Sequence, residues 1–274
     1  MAVAERKSNG DTTKEGFERL LARNERCMRD YLDRELYLPE LALLRRFKGQ
    51  WGQMDMLDVG VGAGRTAYTF AAISRRYVGI DYLENMILLC KDLVGEDDST
   101  RFATCDARVM SDAIAERFDL VLFSFNGLDM ADHDDRLTIL QQARNMLKDG
   151  GHFFFSSHSL RAFPFEAPRP ETFLRRPLLS SYRLGIWAYQ SARLRRLNAR
   201  MSTSDLAQTG WTRVPEYSLK FKVDLYHVFP EFQVEQLRQA GFALVDIYNL
   251  QGKCVDPRDP GKDGFLYYLC RRIP

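Results

Sequence analysis

The sequence predicts an α/β protein with a doubly wound, mostly parallel sheet of seven strands and an antiparallel last strand. Short apolar segments alternate with helical segments of about 10 to 15 residues, which is typical of a parallel sheet with helices on both faces. Near the end of the chain, the apolar segments 242–249 and 264–270 have no helical segment between them. Two such neighbouring strands pair most readily as an antiparallel hairpin.

The expected strands of the parallel part are short and apolar. They are residues 54–59, 77–80, 101–105, 118–125 and 152–157. The expected helices have apolar residues at helical spacing. They are residues 15–48 (divided in two by Pro39), 66–74, 84–94, 132–147, 178–201 and 230–240.

One expected helix begins with a run of carboxylates, Asp132 to Asp135, where the helix macrodipole favours negative charge. Four apolar residues repeat at helical spacing along it and predict the face that packs on the sheet. They are Leu137, Leu140, Ala143 and Leu147.

The alternation of strands and helices is interrupted between residues 158 and 229. This segment contains several prolines and then one long helical stretch, and it is too long for an ordinary connection. Since insertions of this length usually form lids or binding elements, we expect a helical lid over the ligand pocket. Four parts are therefore predicted. They are an N-terminal tail with lid helices (1–48), the core that contains the glycine-rich loop described below (49–157), the binding insertion (158–229) and the completion of the core (230–274).

The composition fits a soluble globular protein, because 45% of the residues are hydrophobic, 28% are charged and the net charge is +2. No apolar stretch approaches the roughly 20 residues that span a bilayer, and the polar N-terminus lacks the apolar segment of a secretory signal. The five cysteines are scattered without a C-x-x-C pair, which argues against a zinc site and a disulfide framework. We therefore expect a cytoplasmic protein without membrane segments or a bound metal.

A glycine-rich loop, Gly60 to Gly64 (GVGAG), lies between the first expected strand and the helix after it. Glycines allow a tight turn and let the backbone approach a ligand closely. Asp81 ends the next strand, where a carboxylate can accept hydrogen bonds from ribose hydroxyls. Together they indicate a nucleotide-type cofactor, and the alternative is a tight turn without a ligand. A dinucleotide-binding loop would have a third spaced glycine where this chain has Arg65.

Several segments, in this order, resemble the class I S-adenosylmethionine-dependent methyltransferases of the small-molecule type. Leu57 to Gly64, with Asp58 ahead of the first glycine, resembles the family's first motif, and Val78 to Asp81 resembles its second. Residues 104–107 (TCDA), 118–122 (FDLVL) and 147–151 (LKDGG) resemble the segments around its next three strands. The resemblance covers roughly residues 54–157 and 230–272. It implies a Rossmann-like fold with a reversed last strand, methyltransferase activity and S-adenosylmethionine as the cofactor.

The resemblance also implies roles for the residues of the loop. Gly60, Gly62 and Gly64 are expected to surround the methionine part of the cofactor. Asp58 is expected either to organise the loop or to receive the ammonium group through water. Asp81 is expected to hold the ribose.

Further cofactor contacts follow from the same resemblance. They are Tyr82 and Met86 beside the adenine ring, Asp106 and Ala107 at its edge, and Phe125 and Asn126 near the donor methyl. Arg65 is expected to pair either with the methionine carboxylate or with a carboxylate of the protein. Tyr31 and Tyr37 are expected either to close the site or to be ordinary packing residues.

Methyl transfer needs a general base only when the acceptor atom must lose a proton, as in a hydroxyl or an ammonium group. Of the four histidines, His158 directly follows the fifth strand, at the carboxyl edge where ligands bind in open α/β folds. His158 is therefore the predicted catalytic residue, as a base or an orienting group, and the alternative is a structural hydrogen bond. We expect His133 to be a solvated helix cap, His152 to be remote, and His227 to face the acceptor.

Residues 159–204 contain nine arginines and only two glutamates, with aromatic residues interleaved. Because arginines bind phosphate and carboxylate groups through paired donors, the acceptor can be an anionic small molecule. The alternative is that most of these arginines simply face water. Tyr182 and Tyr189, with His227, are predicted to contact the acceptor.

Two other functions remain open at this stage. An RNA or other nucleic-acid methyltransferase would also suit basic and aromatic residues, but the net charge is only +2 and an acidic run lies at Asp129 to Asp135. A non-catalytic, cofactor-binding regulatory protein is the second alternative. We expect an enzyme that methylates an oxygen or nitrogen of a small molecule by in-line displacement. Nucleic acid and membranes are not expected as partners, whereas a homo-oligomer is compatible with the sequence.

Overall fold

The computed structural model describes residues 34–167, 170, 177–217 and 221–274. Its helices are α1 (Leu38–Arg46), α2 (Ala67–Ile73), α3 (Glu84–Leu93), α4 (Met110–Ala113), α5 (His133–Met146), α6 (Pro177–Asn198), α7 (Thr203–Thr209) and α8 (Pro230–Gln239). Its strands are β1 (Asp55–Val59), β2 (Arg76–Asp81), β3 (Thr100–Thr104), β4 (Phe118–Phe123), β5 (Leu147–Ser159), β6 (Trp211–Pro215), β7 (Asp224–Val228), β8 (Phe242–Tyr248), β9 (Cys254–Val255) and β10 (Phe265–Arg272). The helix predicted before residue 34, with Tyr31, lies outside the described residues.

The strands form one sheet in the order β3-β2-β1-β4-β5-β10-β8-β9. Neighbours from β3 to β5 are parallel, whereas β10 lies antiparallel between β5 and β8. The predicted doubly wound sheet with a reversed last strand is therefore confirmed. The strand order changes direction between β1 and β4, so the loops after these two strands diverge and leave a crevice at their carboxyl ends.

Two apolar cores lie on opposite faces of this sheet, because successive side chains of a strand alternate between the faces. In β1, Leu57 and Val59 belong to one core and Met56 belongs to the other. Residues of α5 and α8 cover the first core, and residues of α1, α2 and α3 cover the second. In the part of the chain that the structure describes, no helix combines the length and the apolar character needed to cross a membrane.

The buried face of α5 differs from the prediction at two of the four positions. Leu147 is buried, but it is the first residue of β5 and not part of the helix. Leu137 is 36% exposed, and the completely buried Arg136 stands in its place on the inner face, beside Leu140 and Ala143. An arginine is tolerated there because a buried carboxylate neutralises it, as described below.

The insertion at residues 158–229 is only partly helical. It contains α6 and α7, but also an antiparallel hairpin of β6 and β7. β7 runs parallel to the end of β5 and pairs there with His158 and Ser159. Since β4 pairs with β5 only as far as Phe155, β7 occupies the position beside β5 that β4 leaves free. The insertion thus extends the sheet itself.

A cluster of charges joins three strands at the edge opposite the crevice. Asp55, at the start of β1, is completely buried and accepts hydrogen bonds from Arg75 and Arg76 at 2.5 to 3.0 Å. Lys148 of β5 donates to the same carboxylate at 2.9 Å. Burial alone would raise the pKa of Asp55, but these three cations hold it far below its ordinary value.

Replacing Asp55 by asparagine should lower the free energy of unfolding by about 2 kcal/mol at neutral pH, because hydrogen bonds between charged partners are lost. A carboxylate whose pKa is lowered by folding stabilises the folded state above about pH 4. This contribution is lost as the pH falls below about 4. The difference in unfolding free energy between wild type and Asp55→Asn should therefore be constant down to about pH 4 and shrink below it in urea unfolding. Asp98→Asn, at an exposed carboxylate, is the control. A difference that stays constant with pH would contradict this account.

Candidate functional site

The loop between β1 and α2 has its three glycines in left-handed conformations, with φ of +65° at Gly60, +55° at Gly62 and +87° at Gly64. A Cβ atom at Gly60 would lie 2.8 Å from the ring of Phe123, and one at Gly64 would lie 2.8 Å from the Cys90 sulfur. Glycine is therefore required at both positions for backbone conformation and for close packing. These requirements shape the loop whether or not a ligand is bound.

Asp81 ties this loop to the end of β2. The Gly62 N–H donates to its Oδ2 at 3.0 Å, and the Leu83 N–H donates to its Oδ1 at 2.9 Å. Burial raises the pKa of Asp81, and the N–H donors oppose that shift. Each carboxylate oxygen accepts more than one hydrogen bond, so Asp81 retains capacity for hydroxyl donors of a ligand.

Asp58 lies underneath the loop and is almost completely buried. The Thr66 hydroxyl donates to its Oδ2 at 2.5 Å, and the Tyr77 hydroxyl donates to the same oxygen at 2.6 Å. Burial raises the pKa of Asp58 to about 7, against the effect of these two donors. The contacts support the role of organising the loop, and a water-mediated contact with an ammonium group stays a prediction.

A buried ion pair joins the end of the glycine loop to α1. Nη1 and Nη2 of Arg65 donate to the two carboxylate oxygens of Glu40, both at 2.6 Å. Glu40 is completely buried and also accepts from the Tyr37 N–H at 2.7 Å and from the Ser124 hydroxyl. The structure therefore favours an ion pair within the protein, and pairing of Arg65 with a methionine carboxylate stays a prediction.

Two consecutive residues after β4 have left-handed conformations that are unfavourable for side chains other than glycine, with φ of +57° at Phe125 and +60° at Asn126. The ring of Phe125 stacks on that of Tyr37 at 5.2 Å and remains 44% exposed. The Asn126 N–H donates to the Ser156 hydroxyl at 2.6 Å, and its buried Oδ1 has no hydrogen-bond partner among the described residues. Strained residues of this kind concentrate at functional sites.

The residues predicted around the adenine lie at the carboxyl ends of β2 and β3. These two ends are adjacent, since the Cys105 N–H donates to the Asp81 carbonyl at 2.9 Å. Met86 is buried on α3. The Asp106 carboxylate accepts from the Arg108 guanidinium at 2.6 to 3.1 Å. The contacts of Tyr82, Met86, Asp106 and Ala107 with an adenine ring stay predictions.

His158 is held by Asp129, which lies in a short turn after β4. The His158 backbone N–H donates to Asp129 Oδ2 at 2.6 Å, and ring Nδ1 lies 2.7 Å from the same oxygen. The other oxygen, Oδ1, accepts from Arg136 Nη1 at 2.6 Å and from the Ser157 hydroxyl at 2.7 Å. Burial disfavours the charge of Asp129, but Arg136 and His158 outweigh it and hold the pKa of Asp129 below its ordinary value.

The charge on Asp129 determines the tautomer of His158. An ionised carboxylate only accepts hydrogen bonds, so ring Nδ1 must carry the proton, and the tautomer is assigned from this contact. Nε2 is then the basic nitrogen of the neutral ring. The His158 side chain is 14% exposed, at the carboxyl edge where β5 ends. The arrangement can orient an acceptor group or remove its proton.

His227 lies directly beside this pair but is buried. Its ring is 4.7 Å from that of His158, and its Nδ1 lies 3.1 Å from the Leu225 carbonyl. Burial lowers the pKa of His227 to about 3, so the ring is neutral at physiological pH. Its contact with an acceptor stays a prediction.

The two predicted tyrosines of the insertion lie on the outer face of α6. Tyr182 is 68% exposed and Tyr189 is 59% exposed. The described contacts of Tyr189 are with Arg193 and Phe221, and the structure brings neither tyrosine to His158. Their roles in acceptor binding stay predictions without structural support.

The other two histidines are placed by aromatic packing. His133 is not a solvated cap: its ring stacks on Trp211 at 4.3 Å, and its Nδ1 contacts the Tyr226 hydroxyl at 2.8 Å. Asp132 caps α5 instead, because its side chain accepts from a backbone N–H of the first turn. His152 packs against Phe47 at 5.1 Å, near the beginning of β5.

Three charged residues that hold the site together were missed from the sequence, namely Glu40, Asp129 and Arg136. A signal existed for two of them. Glu40 and Arg136 interrupt the apolar faces of α1 and α5, at helical spacing from Leu43 and Leu140 respectively. A charged residue in such a stripe indicates a buried ion pair.

Acidification should destabilise the protein through His227. Because its folded pKa of about 3 lies below the ordinary 6.5, the unfolded state binds the proton first, and stability falls as the pH drops below about 6.5. The loss is about 1.4 kcal/mol per pH unit. Between about pH 7 and pH 5, the free energy of unfolding of His227→Gln, measured in urea, should therefore fall by about 2 kcal/mol less than that of wild type. Equal losses in the two proteins would refute this assignment.

Comparison with known proteins agrees with the geometry. Residues 56–151 match a family model described as a methyltransferase domain. No curated protein has a significantly similar sequence.

Solved structures share the fold over nearly the whole chain. The Burkholderia thailandensis 1,6-didemethyltoxoflavin-N1-methyltransferase, solved with 1,6-didemethyltoxoflavin and S-adenosylhomocysteine, has a TM-score of 0.59 at 17% identity, covering 100% of this chain and 94% of that one. A Clostridium acetobutylicum S-adenosylmethionine-dependent methyltransferase has a TM-score of 0.58 at 13% identity, covering 95% and 99%. The N-methyltransferase NodS from Bradyrhizobium japonicum, in complex with S-adenosylhomocysteine, has a TM-score of 0.56 at 18% identity, covering 95% and 98%. The core of this chain thus matches a methyltransferase domain, and its sheet is folded as in these S-adenosylmethionine-dependent enzymes.

Proposed function

We propose that this enzyme methylates an oxygen or nitrogen atom of a small molecule, and that His158 accepts the proton which that atom loses. The observation that carries the proposal is the contact of His158 Nδ1 with Asp129 Oδ2 at 2.7 Å, at the carboxyl edge of the sheet. This contact leaves Nε2 as the basic nitrogen. A general base is useful only for an acceptor that must lose a proton, such as a hydroxyl, an ammonium or a ring N–H.

The residues of the crevice fit S-adenosylmethionine. Asp81 offers a carboxylate for the ribose hydroxyls, and the loop from Gly60 to Gly64 turns closely enough for the methionine part. The unpartnered Oδ1 of Asn126 is a buried acceptor, which suits an N–H donor of a ligand. When bound, the cofactor supplies a methyl group on a positively charged sulfur. The protein then mainly has to align acceptor and methyl, which can lower the barrier by about 7 to 11 kcal/mol in well-aligned cases.

The protein's own part in the reaction is to hold the acceptor and receive its proton. As the acceptor atom attacks, its proton passes to Nε2 of His158, and the Asp129 carboxylate stabilises the resulting positive ring. Phe125 and Asn126 are held in strained conformations in the loop after β4. We expect them to border the reacting atoms.

The nature of the acceptor is supported by the structural neighbours. Two of them are N-methyltransferases by name, and one of these was solved with 1,6-didemethyltoxoflavin bound. A small molecule with a nitrogen acceptor is accordingly the first class to test, and hydroxyl acceptors are the second.

An anionic acceptor is a narrower form of the proposal. Arg183 and Trp187 lie on the half-buried face of α6, where they could meet a ligand from the insertion side. Arg161 pairs with Glu231 on α8. Arg169, Arg175 and Arg176 lie outside the described residues.

Asp81→Asn should weaken binding of S-adenosylhomocysteine about 10- to 100-fold in isothermal titration calorimetry, because hydrogen bonds to a charged carboxylate are lost. Asp92→Asn, at an exposed carboxylate of α3, should bind like wild type. Unchanged affinity in Asp81→Asn would show that the ribose is held elsewhere. Absence of binding to the wild-type protein would overturn the donor assignment.

His158→Gln should lower turnover about 100-fold or more near neutral pH, because positioned bases contribute about 10² to 10⁴. Release of S-adenosylhomocysteine should be measured with benzimidazole, phenol and benzylamine derivatives as acceptors, and with total RNA as a separate arm. Wild-type turnover across pH in His158→Gln would refute the role of the base. Methylation of RNA alone would favour the nucleic-acid alternative, and cofactor binding without any transfer would favour a regulatory protein.

A further inference from the structure

Arg136 is a completely buried arginine behind the pair formed by Asp129 and His158. Its Nη1 donates to Asp129 Oδ1 at 2.6 Å, and its Nη2 donates to the Ser157 hydroxyl at 2.8 Å and to Gln233 Oε1 at 2.5 Å. Four elements therefore fix the guanidinium group: α5, which carries it, the turn with Asp129, β5 and α8. A charge held so firmly at this depth needs a reason, because burying an ion pair rarely stabilises a fold better than apolar packing does.

The charge of Asp129 depends on this arginine. Titratable side chains also face Asp129 from three strands of the sheet, β5, β7 and β10. They are His158 on β5, Tyr226 and His227 on β7, and Tyr268 on β10. Burial raises the pKa values of both tyrosines and lowers that of His227, so these three side chains are neutral near pH 7. Among the described residues around Asp129, Arg136 thus supplies the permanent positive charge.

The charge of Asp129 in turn decides which nitrogen of His158 is basic. An ionised Asp129 only accepts, so the proton of the neutral imidazole resides on Nδ1 and Nε2 has a free lone pair. A protonated Asp129 would donate its own proton to Nδ1, and the ring proton would then reside on Nε2. In that state Nε2 could not receive a proton from the acceptor.

We infer that Arg136 is a positioning residue for methyl transfer, which keeps Asp129 ionised and thereby fixes His158 in the tautomer with a basic Nε2. The inference rests on the proposed role of His158 as the base. In the transfer step, the acceptor's X–H bond breaks, its proton moves to Nε2 and the new X–C bond forms. The electron pair of the broken C–S bond remains on sulfur, and the proton later leaves His158 for water.

The tautomer can be measured without knowing the acceptor, by nitrogen NMR of the full chain labelled with ¹⁵N-histidine. The chain has four histidines, so His158→Gln identifies the signals of His158. The wild-type protein should show a protonated Nδ1 and an unprotonated Nε2 near pH 7.5. An Nε2–H tautomer in the wild type would overturn the inference by itself, whatever the variants do.

Two variants then separate charge from structure. Arg136→Gln removes the charge but retains an amide donor for Asp129, and it should shift His158 towards the Nε2–H tautomer. Arg136→Lys retains a positive charge and should preserve the wild-type tautomer. Gln233→Leu removes another hydrogen-bond partner of Arg136 but leaves the ion pair intact, so it is the matched control. A wild-type tautomer in Arg136→Gln would overturn the inference.

Activity provides the second readout, with the best acceptor among the benzimidazole, phenol and benzylamine derivatives. Arg136→Gln should lose about 10- to 100-fold in kcat/KM near neutral pH and recover at higher pH, where Asp129 ionises without help. Arg136→Lys should rescue most of this loss. A uniform loss at all pH values would indicate a merely structural role. Full activity of His158→Gln would overturn the proposed function, whereas a wild-type pH profile of Arg136→Gln beside an inactive His158→Gln would overturn only the role of Arg136.

Discussion

The crevice depends on one interaction above all, the buried ion pair between Glu40 and Arg65. Glu40 receives both guanidinium nitrogens and also binds the end of β4 through the Ser124 hydroxyl, so one carboxylate connects α1, the glycine loop and β4. Loss of one partner of a buried pair typically costs about 3 to 5 kcal/mol, because the other charge is left in a medium of low polarity. This ion pair therefore fixes the position of the glycine-rich loop relative to α1 and β4.

A second buried ion pair, between Asp129 and Arg136, has the corresponding place on the other side of the crevice. Both its charges are completely buried, and both are joined to β5 through Ser157. The two pairs differ in what they hold. Arg65 holds the backbone at the end of the glycine-rich loop, whereas Arg136, in the inference above, acts on the chemical state of His158. The site is therefore preorganised by electrostatics in both halves.

The sequence was sufficient for the architecture because the strands and helices of the core follow simple periodic patterns. The reversed β10 followed from the missing helix between residues 249 and 264, and the glycine loop and Asp81 followed from their spacing. The hairpin of β6 and β7 was missed because it is short and its pairing with β5 is a tertiary contact. For Arg136 the helical spacing gave a signal, but its partner was not evident, because Asp129 lies in an irregular turn seven residues earlier.

The pairing of β7 with the end of β5 has a consequence for how such an enzyme can change during evolution. The pairing involves His158 with His227 and Ser159 with Val228, so the histidines meet because of strand register. The long segment between these two points can accumulate substitutions, insertions or deletions without moving either end. The insertion can thus change in sequence while the register of β5 and β7 still holds His158 beside His227.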